Sequence, residues 1–287
     1  MPQTWLITGC SSGFGELFVR KLRAAGDNVI ATGRSAEVKL RHLKETGAEI
    51  LDLDVSIPAE EIKAKIDHAW NIYPGGIDVV VNNAGYILSG ALEELSVQEM
   101  EDVMKTNFFG PFNITQAILP KMRATGKGTL CYMSSQAGWH GDPGAAGYCA
   151  SKFAVEGMAE CLSKELAFIA PAVRVLLFEP GYFRTRAFHN VNYTTVSDAS
   201  DYSQFHSGAV AHVEGVKSNE PGDPDKGVDR MIEIIKGTGV AAGRTVPLRV
   251  PLGSDGWGKV HDKCVETLKI CEEWEDVARS TDVDSSA

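Results

Sequence analysis

Tyr148 and Lys152 stand four residues apart, and Ser135 precedes the tyrosine by thirteen, across a loop containing Gly and Pro. On a helix a spacing of four puts two side chains on one face, one turn apart. A phenol is a poor acid near neutrality, with a free pKa of about 10. An ammonium beside it favours the phenolate and lowers that value. Such a pair can trade a proton with a hydroxyl or carbonyl oxygen, and the Ser135 hydroxyl can hydrogen-bond the same oxygen. The competing reading is an exposed helix and a structural serine: among seven tyrosines, one with Lys four residues later arises easily. The elements that carry these residues have to decide.

Thr4 to Ile7 reads as a short apolar strand that enters Thr8-Gly9-Cys10-Ser11-Ser12-Gly13-Phe14-Gly15 and then a helical pattern with Leu17, Phe18, Val19 and Leu22. A strand, a glycine-rich turn and a helix open a dinucleotide-binding unit. The glycines let the backbone approach a pyrophosphate, and the helix N-terminus offers it free N–H groups. A second strand, Asp27 to Thr32, ends in Gly33-Arg34-Ser35. Folds of this kind read the adenosine ribose at that point, with an acid for NAD and a base for NADP. Arg34 stands there and no carboxylate does, which predicts NADP(H), with NAD(H) as the alternative; a guanidinium grips phosphate through paired hydrogen bonds. Glu49 to Val55 is the third predicted strand, and Asp54 at its end suits an adenine amino group or a cap for the helix after Pro58.

The alternation continues with a helix over Glu60 to Trp70 and a strand over Ile77 to Val81, followed by Asn82-Asn83-Ala84-Gly85. Ser96 to Met122 is largely one helical region. Asn107 inside it can open the hydrogen-bond ladder or hold a water. Strand Gly128 to Met133 delivers Ser134 and Ser135, a helix follows over 148–170, and strand Val173 to Phe178 runs into Glu179-Pro180-Gly181-Tyr182-Phe183-Arg184-Thr185. Every chemically interesting residue therefore falls at a strand's carboxyl end or on the next helix. That is the ligand edge of an α/β, Rossmann-type, doubly wound parallel sheet, here a single domain over 1–287.

Composition narrows the partners. A net charge of −10 disfavours nucleic acid and anionic membrane. No apolar run reaches transmembrane length. Six scattered cysteines read as reduced thiols in a cytoplasmic setting, and the histidines have no metal-ligand spacing, so no metal is expected.

Taken in order, these motifs resemble the classical short-chain dehydrogenase/reductase family from Thr4 to about Thr185 and more loosely beyond. The resemblance implies that Tyr148 is the general acid in reduction and the base in oxidation. Lys152 would lower its pKa and hold the nicotinamide ribose. Ser135 would polarise the carbonyl, and Asn107 would anchor a proton-relay water. Gly9, Ser11, Ser12, Phe14, Gly15, Arg34, Ser35, Asp54, Val55, Asn82, Ala84 and Gly85 would line the cofactor with Pro180, Gly181 and Phe183. Thr185 would hold its carboxamide. The implied activity is an NADP(H)-dependent interconversion of a carbonyl and a secondary alcohol on a small-molecule substrate, bulky and apolar or aromatic; the alternatives are a non-redox enzyme such as an epimerase, or an NADP(H) sensor. Members are commonly homodimers or homotetramers through the helices near 100–122 and 148–170.

Residues 186–226 read as an irregular substrate lid with Phe188, Tyr193, Tyr202 and Phe205, or equally as a surface excursion with its own small cluster. A helix is expected over Gly227 to Lys236, an edge strand over Val246 to Val250, and a last helix within Asp255 to Arg279. The stripe Val260, Cys264, Leu268, Cys271 and Trp274 on that last helix is expected to be core, with an oligomer contact as the alternative. Residues 280–287 are expected to fray.

Overall fold

In the computed structural model, which describes residues 2–197 and 199–283, the apolar runs form one parallel sheet. Its strands are β1 (Thr4–Ile7), β2 (Asn28–Gly33), β3 (Glu49–Asp52), β4 (Val79–Asn82), β6 (Gly128–Met133), β7 (Val173–Pro180) and β9 (Arg249–Leu252), in the order β3-β2-β1-β4-β6-β7-β9. Two short strands, β5 (Leu88–Ser89) and β8 (Asn192–Tyr193), pair separately. The helices are α1 (Gly13–Ala24), α2 (Ala36–Lys39), α3 (Ala59–Trp70), α4 (Val97–Met104), α5 (Gly110–Thr125), α6 (Ala146–Ile169), α7 (Ser203–Val216), α8 (Pro224–Lys236), α9 (Ser254–Glu273) and α10 (Glu275–Arg279).

Alternation along each strand sends side chains to opposite faces. Leu6, Val80 and Leu130 join a core with Ile62, Ile66, Ile114, Ile118 and Val155, under α3, α5 and α6. Trp5, Ile7, Val79 and Val81 point the other way, to Phe18, Leu22, Val228 and Met231, under α1 and α8. Both faces are covered, which explains the near-continuous apolar strands. Strand order reverses between β1 and β4, and the crevice outside their carboxyl ends is where open sheets of this kind bind ligands.

Several boundaries differ from the sequence reading. β3 stops at Asp52, and Asp54 does not cap α3. Its Oδ1 accepts from the N–H and hydroxyl of Ser56, closing a local turn. The last strand begins at Arg249 and runs through Pro251 on the sheet edge, where β9 pairs only with β7. The stretch 186–226, expected to be an irregular lid, is less irregular than that. It contains a turn at Phe188–Asn190, β8 and the fourteen-residue α7. The largest departure is the C-terminal stripe. Cys264, Leu268, Cys271 and Trp274 are exposed in the chain, not core. Of the expected frayed tail, Ser280 to Val283 are exposed, and 284–287 lie outside the described residues.

Candidate active site

Two loops build the floor of the crevice. After β1, Gly9 takes φ +70°, in the left-handed region. A side chain on Gly15 would put its Cβ 2.5 Å from the Gly9 carbonyl, and one on Gly9 would come within 2.8 Å of Ala84 Cα. The turn is thus packed backbone to backbone. Ser12 precedes α1 without a side-chain cap, so the first-turn N–H groups remain open to an anion. After β4, the Asn83 amide donates to the carbonyls of Thr8 and Gly9 at 2.8 and 3.2 Å. The N–H groups of Asn83 and Ala84 donate to Thr8 Oγ1 at 3.0 and 2.9 Å. Asn83 and Thr8, read in the sequence only as parts of their motifs, are therefore the staples that hold the two loops together. An NN pair after a central strand signals such a staple, but only pairing of β1 with β4 reveals its target. Asn82 is buried with both amide atoms unpartnered.

The polar row assembles at the carboxyl ends of β4 and β6. Ser135 follows β6 in extended backbone, and its Oγ accepts from the N–H of Ala137 at 3.2 Å. Tyr148 lies in the first turn of α6. Lys152, one turn on, places Nζ 5.5 Å from the centre of the tyrosine ring and donates to the Met133 carbonyl at 2.8 Å. Asn107 occupies a π-helical turn, Lys105–Phe109, between α4 and α5. This is the opened ladder that a buried Asn in a helix suggested. Its amide donates to the Tyr86 carbonyl at 3.0 Å and to Ser151 Oγ at 2.9 Å, while its Oδ1 accepts from the Tyr86 N–H at 3.0 Å. A Cβ at Gly85 would stand 3.1 Å from Asn107 Oδ1 and 3.7 Å from Lys152 Nζ. Gly85, Asn107 and Lys152 therefore converge on one point, beside Tyr148.

The electrostatics differ from the expectation that Lys152 depresses the Tyr148 phenol. Burial pushes Tyr148 up to about 12, with a hydrogen bond from Ser135 opposing the rise. Burial pulls Lys152 down to about 8, opposed by the carboxylate of Glu156. The Lys152 ammonium is turned to the Met133 carbonyl and is itself costly to keep charged, so desolvation of the phenolate wins.

The residues expected on the cofactor side fall into two groups. Arg34 is exposed at the end of β2, with no carboxylate paired to it among the described residues; Ser35 beside it takes φ +50°. Asp54 and Val55 flank the same end of the sheet after β3. Across the crevice, Gly181 follows β7 and Thr185 packs against Gly13 of the glycine-rich turn. Phe183 is buried against Gly222 and Gly227 and meets Phe14 edge to face at 5.2 Å, so both rings serve packing and leave only backbone toward the crevice. The Tyr182 N–H donates to Asp255 Oδ2 at 2.6 Å. Asp255 thus pins the Pro-Gly turn from the start of α9. In the sequence it reads only as a first-turn acid, because the contact spans 73 residues.

Arg249 gathers a partly buried charge cluster. Glu156, on the helical face of Tyr148 and Lys152, accepts from Arg249 Nε at 2.8 Å; Glu160 takes Arg249 Nη2 at 2.8 Å; Glu179, fully buried, stands 3.7 Å from the same guanidinium. Burial, then repulsion from Glu156, pushes Glu179 up to about 7 from 4.5. Because the folded value is raised, the stability Glu179 lends is fully present below pH 4.5 and is lost as pH rises through about 7. The loss is of order 1–3 kcal/mol. Glu179→Gln should flatten the decline in thermal midpoint between about pH 5 and pH 8. An unchanged slope would show that Arg249 neutralises Glu179 throughout.

Residues 3–195 match the family model described as short chain dehydrogenase. A 3-ketodihydrosphingosine reductase from Bacteroides thetaiotaomicron is 35% identical over 200 residues, covering 70% of this chain and 71% of its own. The crystal structure of a short-chain dehydrogenase from Streptomyces avermitilis superposes with a TM-score of 0.85 at 33% identity over 98% of both chains. A closed serine dehydrogenase complexed with NADP+ gives a TM-score of 0.67 at 28% identity, over 86% of this chain and 94% of its own.

Proposed function

The chain belongs to the short-chain dehydrogenase family, and from that premise we propose that it is an NADP(H)-dependent oxidoreductase that interconverts a carbonyl and a secondary alcohol. The observation that carries this reading is the convergence of Ser135, Tyr148, Lys152 and Asn107 beside the crevice where strand order reverses. The crevice fits a dinucleotide: its glycine cradle would be filled by a single Cβ, and the N-terminus of α1 is uncapped. When bound, the nicotinamide supplies or accepts the hydride.

The chain's own residues handle the proton and the orientation. Ser135 Oγ and Tyr148 Oη bind the substrate oxygen. In reduction Tyr148 protonates it, and in oxidation the phenolate takes its proton. Burial keeps the phenol protonated at neutral pH, the form the acid role in reduction requires. Lys152 stabilises the phenolate as it forms, and the carboxylate of Glu156 helps keep that ammonium charged. Asn107 fixes the loop at Tyr86 and the start of α6 through Ser151, holding the row in register.

Residues 186–226 act as the substrate lid. α7 lies over the loop that precedes Tyr148, with Phe205 and Ala209 near Gly144. Tyr182 and Phe188 meet edge to face at 4.8 Å, which supports a bulky apolar or aromatic substrate. A cytoplasmic setting belongs to the same proposal and is supported by six free thiols; among the described residues no helix is long and apolar enough to cross a membrane. A homodimer or homotetramer belongs to it too, supported by exposed Phe109, Phe153 and Phe168 on and beside α5 and α6.

The test is consumption of NADPH, followed by nicotinamide absorbance, across a panel of aliphatic, aromatic and long-chain ketones. Turnover is expected with bulky ketones and NADPH. Tight cofactor binding with no turnover on any carbonyl or alcohol would sink the redox reading.

A further inference from the structure

The C-terminal helix is stranded. α9 packs on β9 and on the turn Gln136–Gly138, and its first turns carry Asp255 and the buried Gly256 against the Pro-Gly turn. From Cys264 to Val283, however, every residue is exposed. Leu268 and Trp274 each keep 60% of their surface, and Val265 and Ile270 more than half. Helices in water draw most of their stability from packing an apolar face. Here that face, Val260, Cys264, Thr267, Leu268, Cys271 and Trp274 at steps of three and four, is left exposed from residue 264 on by the rest of the described residues. The spacing is that of a two-helix seam.

We propose that α9 and α10, joined through Trp274, whose N–H donates to the Ile270 carbonyl and whose carbonyl accepts from the Ala278 N–H, pair with the same segment of a second copy of this chain, antiparallel about a two-fold axis near Leu268. Charge selects that partner and that order. Trp257 to Val265 carries two lysines against one aspartate, whereas Cys271 to Arg279 carries four carboxylates against one arginine. Antiparallel pairing sets the basic first part of α9 in each copy beside the acidic end of α9 and α10 in the other. Parallel pairing would set acid on acid, and the acidic half disfavours an anionic membrane. A two-fold pair is self-complementary, so one stripe serves both copies. The stretch from Trp257 to Arg279 in α9 and α10 offers roughly 35 Å of helix at about 1.5 Å per residue. If each copy covers about 500–600 Å², the total reaches roughly the lower bound of a specific interface, near 1,200 Å². This surface shares no residue with α5 and α6. Through Asp255 it is continuous with the turn that holds Tyr182.

The test combines sedimentation with thiol crosslinking of the full chain. Of the six cysteines, Cys161, Cys264 and Cys271 are exposed. In a Cys161→Ser background, a short bis-maleimide should join two copies, and the further double change of Cys264 and Cys271 to Ser should abolish the product. Leu268→Asp should raise the dissociation constant of one assembly step at least tenfold, with an unchanged circular dichroism melt. The step is dimer to monomer, or tetramer to dimer if α5 and α6 also associate. A chain that stays monomeric at about 50 µM overturns the proposal. So does crosslinking that survives loss of both seam thiols, or an assembly indifferent to Leu268→Asp. Leu268→Met is the control for packing and should assemble like the parent.

Discussion

Tyr148→Phe should lower kcat for carbonyl reduction by about a thousandfold, within the range by which a positioned general acid contributes. NADPH affinity should stay within about threefold. Phe keeps the ring that Lys152 Nζ overlies at 5.5 Å and removes one oxygen, so the loss reports proton transfer and not collapse of the site. Lys152 retains its bond to the Met133 carbonyl in the variant, which holds the local backbone. Single-turnover kinetics with pre-bound NADPH read the effect directly. A variant that keeps more than about a tenth of the parent rate would remove Tyr148 from the acid role.

Arg34→Ala should weaken NADPH binding by about ten- to a hundredfold and leave NADH within about twofold. Hydrogen bonds to a charged group contribute roughly 1.5–3 kcal/mol, and each 1.4 kcal/mol is about tenfold in affinity. Arg34 is exposed and unpaired among the described residues, so nothing in the fold depends on it and the melting temperature should hold. Isothermal titration of both cofactors separates the outcomes. An unchanged NADPH affinity would make Arg34 a solvated residue that merely opens α2. A parent protein that binds NADH as tightly as NADPH would shift the proposal to NAD(H) and to alcohol oxidation as the working direction.

The two results divide the reading cleanly. Loss of turnover with intact binding supports the acid at Tyr148 whatever the cofactor. Loss of NADPH preference tests only phosphate recognition. Neither touches the C-terminal pairing, whose readout is assembly.

Much of the architecture was legible in the chain because its signals are local. The glycine turn between β1 and α1, the buried runs of β4, β6 and β7, and the step of four from Tyr148 to Lys152 follow from backbone sterics, alternation and helical pitch. Contacts between distant segments were not legible. The Asn83 staple needs β1 beside β4, and the Asp255 clamp needs α9 brought to the end of β7 across 73 residues. The phenol of Tyr148 was expected to fall, whereas burial in the fold pushes it up, because its value depends on how much water its neighbours exclude. The stripe on α9 was expected to be core because periodicity records that a face is apolar, not what covers it. Sequence determined which residues could act and which faces must be hidden, since both follow from residue type and spacing. Tertiary structure alone decided what each of them meets, since desolvation, charge pairing and burial are properties of neighbours that the chain supplies only after it has folded.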